Sequence, residues 1–428
     1  MLSSIGLSTL YIFVLLVIGF PVAFSFGMGS LVSCKTLGLD TAMLTSVAYT
    51  AIDSFPLMAI PFFMLAGELM TIGGLSKRLV DFAALFVAKI RGGLTHVVVI
   101  SCVLFGALSG SSVATVAAIG SIMVNEMHLK GYNKKFSTAL IAASGFIGIL
   151  VPPSIPGILY AVATGASVGA VFLATLMPGL LIALSFLIIN FFVGPKYIDL
   201  KLASSDNKEK EIKKILINSI PALIMPLLVL GGIYGGVFTP TEAAAVACVY
   251  ALIVGFLIKI LKVEHLFRVF KVSGVSTAVI LILISMVAMM GRIFTIIQLP
   301  GIIADAVFSI TTNRYVILFL INITFLIVGM LVETNTALLI IAPIFMPLMK
   351  QIGVDPLQFG AILITNLGIG LITPPFAANI FVASRVSGES FTDIVKYIWP
   401  YLFASLIVLM LVTYIPEVSL YFPKLILK

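Results

Sequence analysis

Hydrophobic positions run along most of this chain with few interruptions. A membrane-spanning helix needs about 20 apolar residues. Long apolar runs fall near 5–33, 46–72, 93–127, 136–166, 169–194, 216–237, 241–260, 273–299, 315–349, 359–384 and 397–415, with a shorter one at 79–88. The strongly polar exception is 196–214, where six lysines meet Asp199, Asp206, Glu209 and Glu211. A mixed-charge run of this kind reads as a solvated linker or amphipathic arm without chemistry of its own. The first apolar run lacks a basic leader and a small-residue cleavage site, so it reads as a retained helix. The pattern predicts an all-α polytopic membrane protein.

Composition agrees. Of 428 residues, 61% are hydrophobic and 10% charged, against about 25% charged in soluble domains. This excludes an ordinary soluble enzyme, a disordered tail and a nucleic-acid partner, in spite of the +8 charge. Cys34, Cys102 and Cys248 lie in apolar runs without a Cys-x-x-Cys pair and read as inert thiols. The bases themselves give sidedness. Placing Lys77 to Arg91, Lys130 to Lys135, Lys196 to Lys214, Lys259 to Lys271, Arg385 and Lys396 in the cytoplasm puts 19 of the 25 inside, as the positive-inside rule requires. Residues 93–127 then enter and leave on the cytoplasmic side, and 315–349 on the outer side. Each reads as a re-entrant helical hairpin.

The two halves of the chain are related. GFIGILVPPSIPGI (145–158) aligns with LGIGLITPPFAANI (367–380) at an offset of 222. FGALSGSSVA (105–114) aligns with VGMLVETNTA (328–337) at 223, and FPVA (20–23) with TPTE (239–242) at 219. Nearly constant offsets and a shared Gly-x-x-x-Pro-Pro argue for duplication. The charge count orients the two copies oppositely. Inverted-topology repeats with discontinuous helices point to a secondary transporter whose site lies near the bilayer midplane.

The interruptions carry the chemistry. Proline has no amide hydrogen, so Pro152 and Pro153 should free the carbonyls of Gly148 and Ile149, and Pro374 and Pro375 those of Gly370 and Leu371. In hydrocarbon such groups cost several kcal/mol unless protein, water or an ion compensates. Each break pairs with a polar hairpin tip, Ser109 to Ser112 or Glu333 to Thr336. Helix C-terminal ends favour cations and N-terminal ends anions, by about half an elementary charge each. A tip and a break together therefore predict an oxygen cage for a monovalent cation beside a positive dipole end for a carboxylate. The first cage comprises Ser109, Ser112 and the carbonyls of Gly148, Val151 and Pro153; the second comprises Asn335, Thr373 and the carbonyls of Gly329, Gly370 and Phe376. The first contains no titratable group, which favours sodium over protons. Glu333 lies near the second without being needed for it. Candidate solute contacts are Ser111, Ser154, Thr334 and Asn379; Asn379 serves equally well as a half-helix cap. For Glu68, Glu242, Asp53 and Arg292 a helix-end anchor or ion pair is the simpler reading. No cofactor is expected beyond Na⁺ as coupling ion.

An intramembrane serine hydrolase built on Ser109 would need a nearby base, and His96, His128 and His265 all fall at segment ends. No phosphate loop is present, so the chain does not itself hydrolyse ATP.

IPFFMLAGELM (60–70), GALSGSSVATVAAIGSIM (106–123), GFIGILVPPSIPGILYAV (145–162), GVFTPTEAAA (236–245) and NLGIGLITPP (366–375) resemble the large membrane subunit of tripartite ATP-independent periplasmic (TRAP) transporters. The resemblance spans essentially the whole chain. It implies a sodium-driven elevator importer of acidic solutes in the bacterial inner membrane, working with a periplasmic substrate-binding protein and a small four-helix membrane subunit, here a separate chain. Sialic acid and C4-dicarboxylates both suit the pattern, with overall likeness leaning toward sialic acid. A stand-alone sodium-coupled carboxylate transporter is the alternative. The expected organisation is scaffold 1–92, transport block 93–166, scaffold 167–300 with the arm 196–214, connector 301–315, transport block 316–384 and scaffold 385–428.

Overall fold

The computed structural model describes residues 2–198 and 212–427; the arm at 196–214 falls largely outside them. Among the described residues the regular structure is helical, and seven helices are long and apolar enough to cross a membrane. Counting α20 (Trp399–Tyr414) and α21 (Pro416–Ile426), bent by 64° at Pro416, as one span makes eight.

Several apolar runs break where their turn residues dictate. The run 5–33 is two helices, α1 (Leu2–Val17) and α2 (Val22–Thr36), because Gly19 adopts φ +88 and Pro21 follows. The run 46–72 divides at Asp53 into α3 (Ala42–Ile52) and α4 (Ala59–Ile72), with α5 (Leu75–Val87) after the left-handed Gly74. The expected connector 301–315 is mostly helix, α14 (Leu299–Ile310).

Both predicted hairpins form. α6 (Leu94–Ser109) and α7 (Ser112–Leu129) make the first; α15 (Arg314–Leu331) and α16 (Thr334–Gln351) make the second. Arms of 16 to 18 residues are about 24–27 Å long at 1.5 Å per residue, and α7 and α15 are among the seven apolar helices above. Each hairpin is followed by a helix in two pieces. The first is α8 (Lys134–Gly145), a 3₁₀ turn at Phe146–Ile149, and α9 (Ile155–Thr164). The second is α17 (Pro356–Gly370) and α18 (Ala378–Ser387).

Loop contacts group the ends of the elements. On one face the Tyr132 hydroxyl donates to the Gly92 carbonyl at 2.8 Å, and the Asn133 amide donates to the Tyr197 carbonyl at 2.9 Å. There also Lys135 meets Asp393 at 2.7 Å and Lys134 meets Glu389 at 3.9 Å, Glu389 preceding and Asp393 within the short α19 (Phe391–Val395). Exposed pairs of this kind add little stability; here they gather the basic loops on one side. On the other face the Tyr160 hydroxyl donates to the Pro356 carbonyl, and the Tyr414 hydroxyl to the Tyr315 carbonyl. The two ends of the first hairpin are thus held together, and the start of α17 meets the far half of the first broken helix, the arrangement expected of inverted repeats. Lys196 and Gln351 are exposed on the two faces. Cysteines placed there, with Cys34, Cys102 and Cys248 removed, are expected to react with a membrane-impermeant thiol reagent from opposite sides. Labelling from the same side would contradict the inversion.

The repeats interlock. α18 packs on α7 and α8, and α9 packs on α16, so each distal half-helix rests on the other repeat's hairpin. α10 (Val168–Val193) packs on α6, α9, α17, α20 and α21, and both α20 and α21 rest on α17. The sequence-based boundaries had grouped 167–193 and 397–426 with the scaffold. Apolarity alone does not name a helix's partner inside a membrane; here α10 lies against the first hairpin and both broken helices, and α20 and α21 lie against α10 and α17. α11 (Ile212–Tyr234), α12 (Pro240–Leu257) and the 34-residue α13 (Val263–Ile296) pack with α2 to α5 on the other side.

Candidate functional site

At the first tip, α6 ends on the left-handed Gly110, φ +58, and α7 begins with Ser111, whose side chain accepts the Ala114 amide. A helix C-terminus and a helix N-terminus therefore sit two residues apart. The tip meets the break closely. The Ile155 amide donates to the Gly110 carbonyl at 3.2 Å, and a Cβ on Gly110 would lie 2.7 Å from the Pro153 carbonyl oxygen. Gly106 and Gly148 form the contact that permits this approach: a Cβ on Gly106 would collide with the Gly148 Cα. The second repeat reproduces it, since a Cβ on Gly370 would collide with the Gly329 backbone. The Pro152–Pro153 and Pro374–Pro375 bonds are both cis.

Not every carbonyl expected to be free remains so. The Ser154 hydroxyl takes the Ile149 carbonyl, the Thr373 amide bonds the Gly370 carbonyl at 3.1 Å, and the Asn379 amide bonds the Leu371 carbonyl at 3.0 Å. A carbonyl has two lone pairs, so Gly370 keeps one available. Backbone and side-chain donors near each break replace the missing proline amides. Among the described residues no donor meets the carbonyls of Val151, Pro153 or Phe376.

Ser109, Ser112, Gly148 and Pro153 are brought together and buried. Thr115, absent from the sequence-based cage, joins them. Its hydroxyl donates to the Ser111 carbonyl at 2.7 Å and lies 3.2 Å from Ser109 Oγ. Its place in the first turn of α7, three residues after Ser112, was the available signal. At the second tip Glu333 serves as helix cap: its carboxylate accepts from the Thr336 amide at 3.1 Å and from Asn335 Nδ2 at 2.9 Å. Asn335 Oδ1 and Thr334 Oγ1 are buried without a partner. Unsatisfied buried oxygens cost about 1–3 kcal/mol each, so these two fit a cation or solute ligand. Thr373 back-bonds to the Ile369 carbonyl at 2.7 Å, which leaves its oxygen lone pairs for further contact. The two breaks differ in exposure. Gly148 to Ser154 are all buried, whereas Pro375 and Phe376 are exposed, Phe376 by 57%.

The four solute candidates separate. Ser154 is buried with its hydroxyl committed to the Ile149 carbonyl and the Gly157 amide. Asn379 is also buried, and both ends of its amide are used within the protein. Neither reaches solute in this structure, because the repeats close over them. Ser111 borders a cavity of about 490 Å³ between the first hairpin and α4 and α13, where Gly67, Glu68 and Ser273 face it. Glu68 therefore borders a cavity whose lining is mostly apolar. Glu242 closes a capping box with Thr239.

Residues 9–418 match the family model described as the DctM component of the tripartite ATP-independent periplasmic transporter. The chain belongs to this TRAP transporter family. The C4-dicarboxylate TRAP transporter large permease protein DctM of Pseudomonas aeruginosa is 40% identical over 87% of each chain. The sialic acid large permease SiaM of Vibrio cholerae is 36% identical over 96% of this chain and 97% of its own. The isethionate TRAP transporter permease protein DctMQ of Oleidesulfovibrio alaskensis is 39% identical over 96% of this chain, which spans 65% of that relative's length. The YdaH transporter of Alcanivorax borkumensis shares the fold, with a TM-score of 0.63, 17% identity and 90% coverage of both chains. This TRAP family chain is a multi-pass bacterial inner-membrane protein and a permease component, not an enzyme.

Proposed function

We propose that the chain is the permease of a sodium-coupled importer of a small organic acid, moving its solute by an elevator motion. What carries the reading is the repeated glycine contact between a hairpin arm and a broken helix, with oxygen atoms that lack protein partners at both breaks and at the second tip. One sodium ion binds per repeat, held by Ser109, Ser112, Gly148, Val151 and Pro153 in the first and by Gly329, Asn335, Gly370, Thr373 and Phe376 in the second. Thr115 supports the first cage from behind.

The solute is a carboxylate such as sialic acid or a C4-dicarboxylate. It meets Ser111 in the cavity and Thr334 at the second tip, where the helix N-termini of α7 and α16 favour negative charge. A periplasmic binding protein delivers it, and a small membrane subunit packs against the scaffold. The moving body comprises α6–α10 and α15–α21, since α10 packs on the first hairpin and both broken helices, and α20 and α21 pack on α10 and α17. The scaffold comprises α1–α5 and α11–α14.

Uptake into proteoliposomes containing the chain and its partners tests the sodium assignment. Ser112→Ala and Thr373→Ala are expected to raise the sodium concentration for half-maximal uptake several-fold, because many of the remaining ligands are main-chain oxygens. Capture of solute by the soluble partner should not change. Full activity in sodium-free buffer under a pH gradient would overturn the assignment, and uptake by this chain alone would favour a stand-alone transporter.

A further inference from the structure

We propose that Asn379 is a positioning residue that couples the two ion sites, so that occupancy of one sets the affinity of the other. The inference rests on the sodium reading above. Asn379 lies in the first turn of α18, in the second repeat, and is fully buried. Its backbone amide donates to the Leu371 carbonyl at 3.0 Å, inside the second break. Its side chain crosses to the first repeat, where Nδ2 donates to the Ala142 carbonyl at 3.1 Å and Oδ1 faces Ser112 Oγ at 2.9 Å. One residue thus touches the backbone of one site and a side-chain ligand of the other.

The chemistry of the bridge is determined by its partners. The Ala142 carbonyl only accepts, so the amide nitrogen must face it and the amide oxygen must face Ser112. Ser112 then has to donate. With its proton committed to Asn379, its lone pairs remain for the first cage. If Asn379 shifts, Ser112 loses this acceptor and its hydroxyl is free to rotate its proton into the cage. A movement of the second break reaches Asn379 directly through the Leu371 carbonyl.

The amide sits in a slot beside Gly145, where an added Cβ would make ordinary contact with Asn379 Nδ2 at 3.4 Å and would collide with Val116 Cγ2. The link has no counterpart in the other direction. At the repeat offset of 222 the position equivalent to Asn379 is Gly157, which has no side chain to reach across. Coupling between sites is reciprocal in free energy, so a single bridge serves both.

Sodium-dependent alkylation of single cysteines tests this in the purified protein. Reporters are placed at Val113, beside the first tip, and at Leu331, beside the second, both exposed. In the parent protein Thr373→Ala, which weakens the second site, is expected to raise the sodium midpoint at the Val113 reporter by about five-fold or more, a usual size for coupled sites. In the Asn379→Ala background that cross-shift should vanish while both reporters still respond to sodium. Asn379→Leu fills the slot with similar volume and should give the same loss if the alanine variant does not fold. A cross-shift that persists in both Asn379 variants would overturn the role of Asn379. No cross-shift in the parent protein would mean independent sites and overturn the coupling, with the sodium reading intact. No sodium response at either reporter would overturn the sodium reading and this proposal with it.

Discussion

Gly106→Ala and Gly370→Ala are each expected to reduce sodium-driven uptake at least about ten-fold while the protein still inserts. The added methyl at Gly106 meets the Gly148 Cα, and that at Gly370 meets the carbonyl carbon and oxygen of Gly329. Both obstacles are backbone, so no side-chain rotation relieves them. The hairpin arm must move away from the broken helix, which separates the tip oxygens from the carbonyls of the break. Overpacking of this kind costs about 1–3 kcal/mol, enough to lower thermal stability without preventing folding. Gly231→Ala and Gly301→Ala are the controls, since an added Cβ meets nothing within 4 Å at either position. Uptake assays with measured membrane expression distinguish the outcomes. Near-normal uptake by Gly106→Ala, with an unchanged sodium midpoint, would show that this contact does not shape the ion site.

A crosslink between Gly169 on α10 and Ile233 on α11, both replaced by cysteine, is expected to abolish transport. A Cβ on Gly169 would lie 3.6 Å from Ile233 Cγ2, within reach of a short thiol-bridging reagent. The pair joins the proposed moving body to the scaffold, so locking it should hold the elevator in one position. Reversing the crosslink should restore activity. A second pair, Gly120 and Val386, links the repeats within the moving body. The Cβ separation there would be 3.9 Å, close to the mean for disulfides, and its crosslink should leave transport largely intact. If instead α10 belongs to the scaffold, the 169–233 crosslink would be harmless and the smaller moving blocks at 93–166 and 316–384 would be restored.

Much of the architecture was legible because membrane folding leaves strong local signals. Apolar runs, basic loops and the paired Gly-x-x-x-Pro-Pro motifs reveal spans, sidedness and inverted duplication, since hydrocarbon penalises an unpaired backbone wherever it occurs. The hairpin tips at Ser109 to Ser112 and Glu333 to Thr336 are visible for the same reason. Glycines and prolines marked the division of 5–33 equally clearly, at Gly19 and Pro21, although a length criterion read it as one segment.

Tertiary structure decided the contacts between elements. Nothing in the sequence of α10, α20 or α21 distinguishes a neighbour from lipid, because side chains and lipid tails are similarly apolar; only packing places α10 against the first hairpin and α20 and α21 against α10 and α17. The same holds for hydrogen bonds across the repeats. Asn379 and Ser112 are 267 positions apart, and each alone reads equally well as a cap or a ligand. Their pairing exists because α18 lies against α7. Residue type and spacing thus determined which atoms the two sites could use, since proline and glycine act on their own backbone. Which carbonyls stayed open depended on how the chain turns at each break and brings the Ser154 hydroxyl and the Thr373 and Asn379 amides back onto it, and that is a property of the folded chain.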